Sequence, residues 1–260
     1  MKALILAAGS GTRMGKYTEN LPKGMLNVNG RTLIERQIET LRAAGIGDIA
    51  VATGYKSEKI AYAGVKYYHN AEYATTNMLE TIMCAKAFLN DDVLIAYSDI
   101  MYTPELAKKC VEAKADIGVA VDKDWKKLWK LRYDTVDFDL ETLFVDENGN
   151  ITDLGRETNS SEGLDYRYIG LIKFSKVGLK SAFDIYGTRK KENAPWPQSG
   201  KEFKKGYMTD LLSELIRSGM AVKAIVSAGG WAEFDTAQDY ERLSEALKNG
   251  KLTQNLMVKE

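Results

Sequence analysis

Leu6-Ala7-Ala8-Gly9-Ser10-Gly11-Thr12-Arg13-Met14, followed by Leu21-Pro22-Lys23, is the stretch that decides the fold. It begins in a short apolar run, Ala3–Leu6, that reads as a fully buried strand. A glycine-rich turn directly after a buried strand suits an anion, because glycines let the backbone approach it and successive N–H groups form a nest. The dinucleotide fingerprint requires a third glycine where Met14 stands. The P-loop fails at Ser10 and Tyr17, although Gly15-Lys16 nearly fits. Two glycines alone describe an ordinary structural turn equally well. Arg13 and Lys23 add two cations, with Pro22 fixing the backbone before Lys23. An arginine forks onto phosphate oxygens and a lysine acts as a point charge; on spacing alone, both also fit a solvated face.

Outward from this turn the chain alternates. Thr32–Ala44 carries Leu33, Ile34, Ile38 and Leu41 at the helical period and closes at Gly45. Strands are predicted at Asp48–Thr53, Val65–His69, Asp92–Tyr97 and Asp116–Val121, and helices at Lys56–Ala63, Asn77–Leu89 and Thr103–Ala113. The pattern predicts an α/β fold, Rossmann-like, with a mixed, mainly parallel sheet and helices on both faces. Ligands of such sheets bind outside the carboxyl ends of the strands, where Gly9 and Asp99 fall. After Asp122 the rhythm changes. Glu141–Val145, Ile151–Leu154 and Tyr166–Phe174 read as a small antiparallel β insertion, with Glu147-Asn148-Gly149-Asn150 as a hairpin turn. Val177–Tyr186 reads as a helix and Gly187–Lys205 as a polar loop, a lid or a homodimer contact. Helix, strand and helix follow at Tyr207–Ser218, Val222–Val226 and Thr236–Lys248, the last capped by Asp235 or Thr236. The expectation is one domain over residues 1–260, with 123–205 as an inserted acceptor-binding or lid region.

Composition narrows the partners. Lys and Arg number 36, as do Asp and Glu, so the formal net charge is zero, which argues against nucleic acid or an anionic membrane as partner. No apolar run approaches the roughly 20 residues that cross a bilayer. Cys84 and Cys110 are expected to be buried free thiols, and a cytoplasmic location is expected. The single histidine, His69, and the lack of a Ser/His/Asp or Cys/His set argue against acyl transfer.

Leu6–Met14 with Leu21-Pro-Lys-Gly24 and Gly30-Arg-Thr-Leu-Ile-Glu35 resembles the nucleotidyltransferases that activate sugar 1-phosphates and phosphocholine. Tyr97-Ser98-Asp99 resembles their strand-end aspartate, and Gly230-Trp-Ala-Glu-Phe-Asp-Thr236 their second acidic segment; the resemblance runs to about residue 245. Within the family, Asp122-Lys-Asp-Trp125, Trp129, Arg132, the Glu141-Thr-Leu stretch and Tyr168–Lys173 resemble the small cytidylyltransferases, which act on phosphocholine, phosphonates and related acceptors of surface-polymer synthesis.

The resemblance implies in-line attack of an acceptor phosphate on the α-phosphorus of a nucleoside triphosphate, most simply CTP, with pyrophosphate leaving. A phosphate monoester with a second pKa of roughly 6 needs no general base, so positioning and electrostatics carry such a reaction. The implied catalytic residues are Arg13, Lys23, Asp99 and Asp235, with Asp99 and Asp235 holding Mg²⁺. Leu6, Ala7, Ala8, Gly9, Ser10, Gly11, Thr12, Thr76, Asn77 and Ser98 would join Arg13 and Lys23 around the nucleotide. On spacing alone, Asp99, Asp235 and Asn77 also fit turn or capping roles.

The related sugar enzymes often carry a lysine before the acceptor strand where this chain reads Asp153-Leu-Gly-Arg-Glu-Thr158, leaving Arg156 or Lys173 for the acceptor phosphate. Trp129, Arg132, Tyr168 and Trp231 complete the expected acceptor set. The aromatics among them suit a cage for a quaternary ammonium as well as ordinary core packing. The alternatives are a sugar-1-phosphate enzyme using UTP, GTP or dTTP, and a nucleotide-binding regulator without turnover.

Overall fold

The computed structural model describes residues 1–259. Strand β1 (Lys2–Ala7) is buried from Ala3 onward, as a central strand covered on both faces must be. Strands β2 (Asn27–Val28) and β3 (Arg31–Thr32) form a tight hairpin. Thr32 then caps helix α1 (Leu33–Ala43) in a capping box with Glu35. Next come β4 (Asp48–Thr53), β5 (Val65–His69), α2 (Met78–Cys84), β6 (Val93–Tyr97), β7 (Ile100–Tyr102), α3 (Pro104–Glu112) and β8 (Ile117–Asp122). The second half holds α4 (Trp125–Tyr133), the hairpin β9 (Leu140–Val145) and β10 (Ile151–Thr158), then β11 (Arg167–Phe174) and α5 (Lys176–Glu192). It ends with α6 (Met208–Arg217), β12 (Val222–Ser227), β13 (Trp231–Glu233) and α7 (Ala237–Asn249).

Seven strands make the main sheet, in the order β12-β8-β11-β6-β1-β4-β5. Only β11 runs against its neighbours, pairing antiparallel with both β6 and β8. The architecture is the expected mixed, mainly parallel α/β sheet. One face packs on Leu33, Leu106, Leu128 and Leu243 of α1, α3, α4 and α7. The other packs on Leu79, Leu179 and Leu212 of α2, α5 and α6.

The second half departs from the sequence reading. The segment expected as a third strand of the insertion is β11, in the middle of the main sheet. Its residues are buried along nearly the whole strand, and that environment needs cover on both faces. Of the three strands expected in the insertion, only β9 and β10 pair apart from the main sheet. The expected polar loop from Gly187 begins as helix, since α5 continues to Glu192, and Trp196 beyond it is buried with its indole N–H donating to the Phe203 carbonyl at 2.8 Å. The helix expected at Lys56–Ala63 is a single 3-10 turn, Ser57–Lys59, with no buried residue to hold it. Helix α2 ends at Cys84, which is exposed rather than buried because Leu79 and Ile82 take the inner face; Cys110 is buried as expected.

Four residues expected at the acceptor lie elsewhere, three of them in the core. Trp129 and Trp231 are 0% and 1% exposed; their indole N–H groups donate to the Phe138 carbonyl and to Asp122, both at 2.8 Å. Arg132 is fully buried, bonded to Asp239 at 3.0 and 3.1 Å, to Glu233 at 2.6 Å and to the Tyr133 hydroxyl at 2.7 Å. Burial opposes its charge, yet Glu233 and Asp239 outweigh that and hold its pKa above the usual arginine range. Lys173 lies near the far end of antiparallel β11, opposite Leu94, and donates to the carbonyls of Val111 and Ala113. Strand direction thus carries it to the edge of the sheet away from the crevice. Arg132→Met would leave the buried carboxylate of Asp239 without its cation. A loss of about 3–5 kcal/mol of unfolding free energy is expected in urea titration.

Candidate active site

The crevice opens where β1 and β6 end. The Ser98 N–H donates to the Leu6 carbonyl at 3.2 Å and locks the two strand ends together. Beyond β1 the chain turns through Gly11, whose φ of 65° is left-handed and suits glycine. The turn is fixed from behind by the Thr18 hydroxyl on the Gly11 carbonyl at 2.8 Å and by fully buried Met14. On its other flank the Tyr55 N–H donates to the Ala8 carbonyl at 3.0 Å. That approach needs Gly54, where a Cβ would lie 2.7 Å from the same carbonyl oxygen.

A crevice of about 340 Å³ follows the turn. Leu6, Ala8, Gly9, Ser10, Gly11, Thr12, Arg13, Lys23, Thr76, Asn77 and Ser98 all line it, together with Asp99 and Asp235. Ala7 is the exception. The alternation of the strand turns its side chain into the core, 2% exposed. Tyr73, Met78, Thr81 and Tyr97 also line the crevice and were not singled out from sequence, because nothing in a lone Tyr or Thr marks it. Asn77 caps α2 through the Met78 N–H at 2.8 Å and donates to the Lys205 carbonyl at 3.3 Å, so its amide is already partly engaged. His69 is exposed at the end of β5, within 3.4 Å of the Thr53 hydroxyl, and is not among the crevice residues.

The ionic centre joins three distant segments. The Lys23 ammonium lies 2.7 Å from Asp99 and 2.6 Å from Asp235, and Arg13 reaches the other oxygen of Asp235 at 2.6 Å. Local pairing explains the convergence. β13 runs antiparallel to β7 with Glu233 opposite Ile100, and the Phe234 N–H donates to the Asp99 carbonyl at 2.9 Å. Neither aspartate is a helix cap; Thr103 caps α3 and Thr236 caps α7. Burial works against the charge on Lys23, but the two aspartates outweigh it and raise its pKa, so it stays an ammonium. Burial raises the Asp235 carboxyl despite Lys23, with Glu233 and Asp99 adding to the rise. The second oxygen of Asp99, Oδ1, is buried without a hydrogen-bond partner. Two carboxylates within reach of one point, one with an orphaned oxygen, suit a hard cation that also takes phosphate ligands.

A second cavity of about 720 Å³ adjoins the first and shares Arg13, Tyr97, Asp99 and Asp235 with it. Arg156 and Tyr168 line it, as expected of acceptor residues; Trp129, Arg132, Lys173 and Trp231 do not. Arg156 pairs with Asp153 at 3.0 Å, and the Tyr168 hydroxyl donates to that of Tyr97 at 3.0 Å.

Residues 3–138 match the model of the MobA-like NTP transferase domain. The chain belongs to this nucleotidyltransferase family. It is 35% identical over 252 residues to a CTP:phosphoglutamine cytidylyltransferase of Campylobacter jejuni, covering 93% of this chain and 98% of that one. It is 28% identical to a choline-phosphate cytidylyltransferase of Streptococcus pneumoniae, over 96% and 99% of the two chains. The solved structure of the CTP:phosphocholine cytidylyltransferase from Streptococcus pneumoniae superposes with a TM-score of 0.72 at 23% identity, covering 95% of this chain and 98% of that one, a likeness of fold. By family, then, the chain is a nucleotidyltransferase. No helix among the described residues is long and apolar enough to cross a membrane.

At Gly11 a Cβ would sit 3.0 Å from Lys23 Cβ. Gly11→Val should therefore strain the turn and displace Lys23 together. At least about a tenfold loss of nucleotide affinity is expected in calorimetric titration with CTP and Mg²⁺, since one misplaced charged contact costs that much.

Proposed function

We propose that the protein is a CTP-dependent cytidylyltransferase that moves CMP onto the phosphate of a small acceptor and releases pyrophosphate. The observation that carries this reading is the ammonium of Lys23, which lines the glycine-turn crevice and is held by Asp99 and Asp235, two residues that line the second cavity as well. A charge in that position reaches both the triphosphate and the acceptor phosphate. The extent of the similarity to cytidylyltransferases supports CTP, and the second cavity supports an acceptor of small-molecule size.

The turn from Gly9 to Thr12 offers backbone N–H groups to the β- and γ-phosphates, with Arg13 as a fork beside them. In the free protein the aspartates hold Lys23 and Arg13. Incoming phosphate oxygens offer both cations new partners and release Asp99 and Asp235. Those carboxylates, with the orphaned Oδ1 of Asp99, are the residues to hold Mg²⁺. When bound, the ion neutralises charge on the phosphate oxygens. The acceptor dianion attacks the α-phosphorus opposite the leaving pyrophosphate, and Lys23 stabilises the charge that gathers on the transferring group. No side chain has to take a proton, which agrees with the absence of a histidine from the crevice.

A panel of CTP, UTP, GTP and dTTP against phosphoglutamine, phosphocholine, phosphoethanolamine, aminoethylphosphonate and hexose 1-phosphates tests the assignment. Pyrophosphate release with CTP and a non-sugar acceptor is expected. Preference for a hexose 1-phosphate would overturn it, and nucleotide binding without turnover would make the protein a regulator. Lys23→Ala and Asp99→Asn should each lower kcat by well over roughly tenfold, because each removes a charge that acts on the transition state. Near-normal rates in both would sink the site.

A further inference from the structure

Two arginines flank the face of buried Trp129, with their guanidinium carbons 4.5 Å (Arg132) and 4.4 Å (Arg167) from the ring centroid. They differ in what their nitrogens meet. Arg132 spends its donors on Asp239, Glu233 and Tyr133. Arg167 is only 9% exposed, yet its NH1 is buried without any hydrogen-bond partner. Leaving a buried charged donor unpaired is costly, and native proteins pair such groups with protein, water or ligand. Arg167 also lines the second cavity, so a guanidinium with an unsatisfied donor stands in the wall of the space where the acceptor would lie.

Acidic side chains line the same cavity, Glu141 and Glu233 among them. Glu141 and Glu233 are close enough to Arg167 for its charge to draw both carboxyls down, yet neither forms an ion pair with it. For Glu141, burial wins and the pKa stays raised; for Glu233, burial is outweighed by Arg132, Arg167 and Lys23. A guanidinium facing unpaired space, with a buried carboxylate nearby, complements a ligand that carries an anion beside a cation.

We propose that Arg167 reads a carboxylate on the acceptor, and that the acceptor is a phosphorylated molecule of the amino-acid class, its ammonium on the Glu141 side. This rests on the cytidylyltransferase reading above and assigns the specificity of the same site. A planar fork on a fixed aromatic platform matches a carboxylate bidentately. It offers nothing to choline. The tryptophans expected to cage a quaternary ammonium are buried in the core, and an acceptor whose only anion is the phosphate assigned to Lys23 would leave NH1 of Arg167 unpaired.

The test compares acceptors that differ only by the carboxylate: phosphoserine against phosphoethanolamine, and phosphoglutamine against its decarboxylated amide. Each is titrated calorimetrically into the protein saturated with a non-hydrolysable CTP analogue and Mg²⁺, and each is assayed for pyrophosphate release with CTP. In at least one pair the carboxylated member should bind roughly 10- to 100-fold more tightly, the range of a charge-assisted hydrogen bond. Arg167→Met should collapse that ratio to near one, and Arg167→Lys should restore only part of it because the fork is lost. Circular dichroism and CTP affinity report whether the variants fold. Equal binding within both pairs, or a ratio unchanged in folded Arg167→Met, overturns the inference. Selective binding without pyrophosphate release overturns the cytidylyltransferase reading and leaves the carboxylate site standing.

Discussion

A lysine ammonium shared by two aspartates, at 2.7 and 2.6 Å, is the interaction on which the site depends. It ties together residues 23, 99 and 235, which come from three segments far apart in sequence, and it places opposite charges where water is largely excluded. Pairing makes that burial tolerable, since an isolated ammonium at the same depth would shed its proton or refuse the position. The arrangement is also unfinished, because Asp99 keeps one buried oxygen without a donor. A site that is neutralised but not saturated can exchange its internal partners for a ligand's. That is the property expected of a centre that must bind a highly charged molecule and let its products go.

Much of this was legible in the sequence because it is local. The apolar run of β1, the glycine turn at 9–11, the helical period after Thr32 and the strand-end aspartate all announce themselves within a few residues. The parallel alternation then puts every such strand end on the same edge, so the crevice follows from topology. Asp235 was the harder member. Spacing alone left it indistinguishable from a helix cap. It faces Lys23 because Thr236 takes the cap and β13 pairs with β7, a long-range pairing between two three-residue strands that no periodicity reveals.

The acceptor side was less legible. Aromatic and basic residues such as Trp129, Arg132, Lys173 and Trp231 fit ligand contacts by residue type, but large rings bury the most apolar area and tend to become core. Trp129 and Trp231 do so, and Arg132 follows them inward because Asp239 and Glu233 meet it there. Lys173 was misplaced by direction alone: on a parallel strand it would have ended near the crevice, and on antiparallel β11 it does not. Arg167, on the same strand but near its start, faces the cavity instead. The residue that was overlooked and the one that was misassigned are separated by six positions and by the polarity of one strand.

That strand also governs how the sheet can be assembled. β6 and β8 run in the same direction but do not touch; β11 fills the gap between them and bonds to both. During synthesis from the N-terminus, the β6 edge of the four-stranded part β6-β1-β4-β5 and the strand β8 therefore stay unpaired until residue 174 has emerged, and β8 gains its other neighbour, β12, only later; such apolar edges can recruit a strand from another chain. The family model that matches residues 3–138 stops short of the piece that closes the gap. Residues 3–138 alone would leave β6 and β8 each with an unpaired edge.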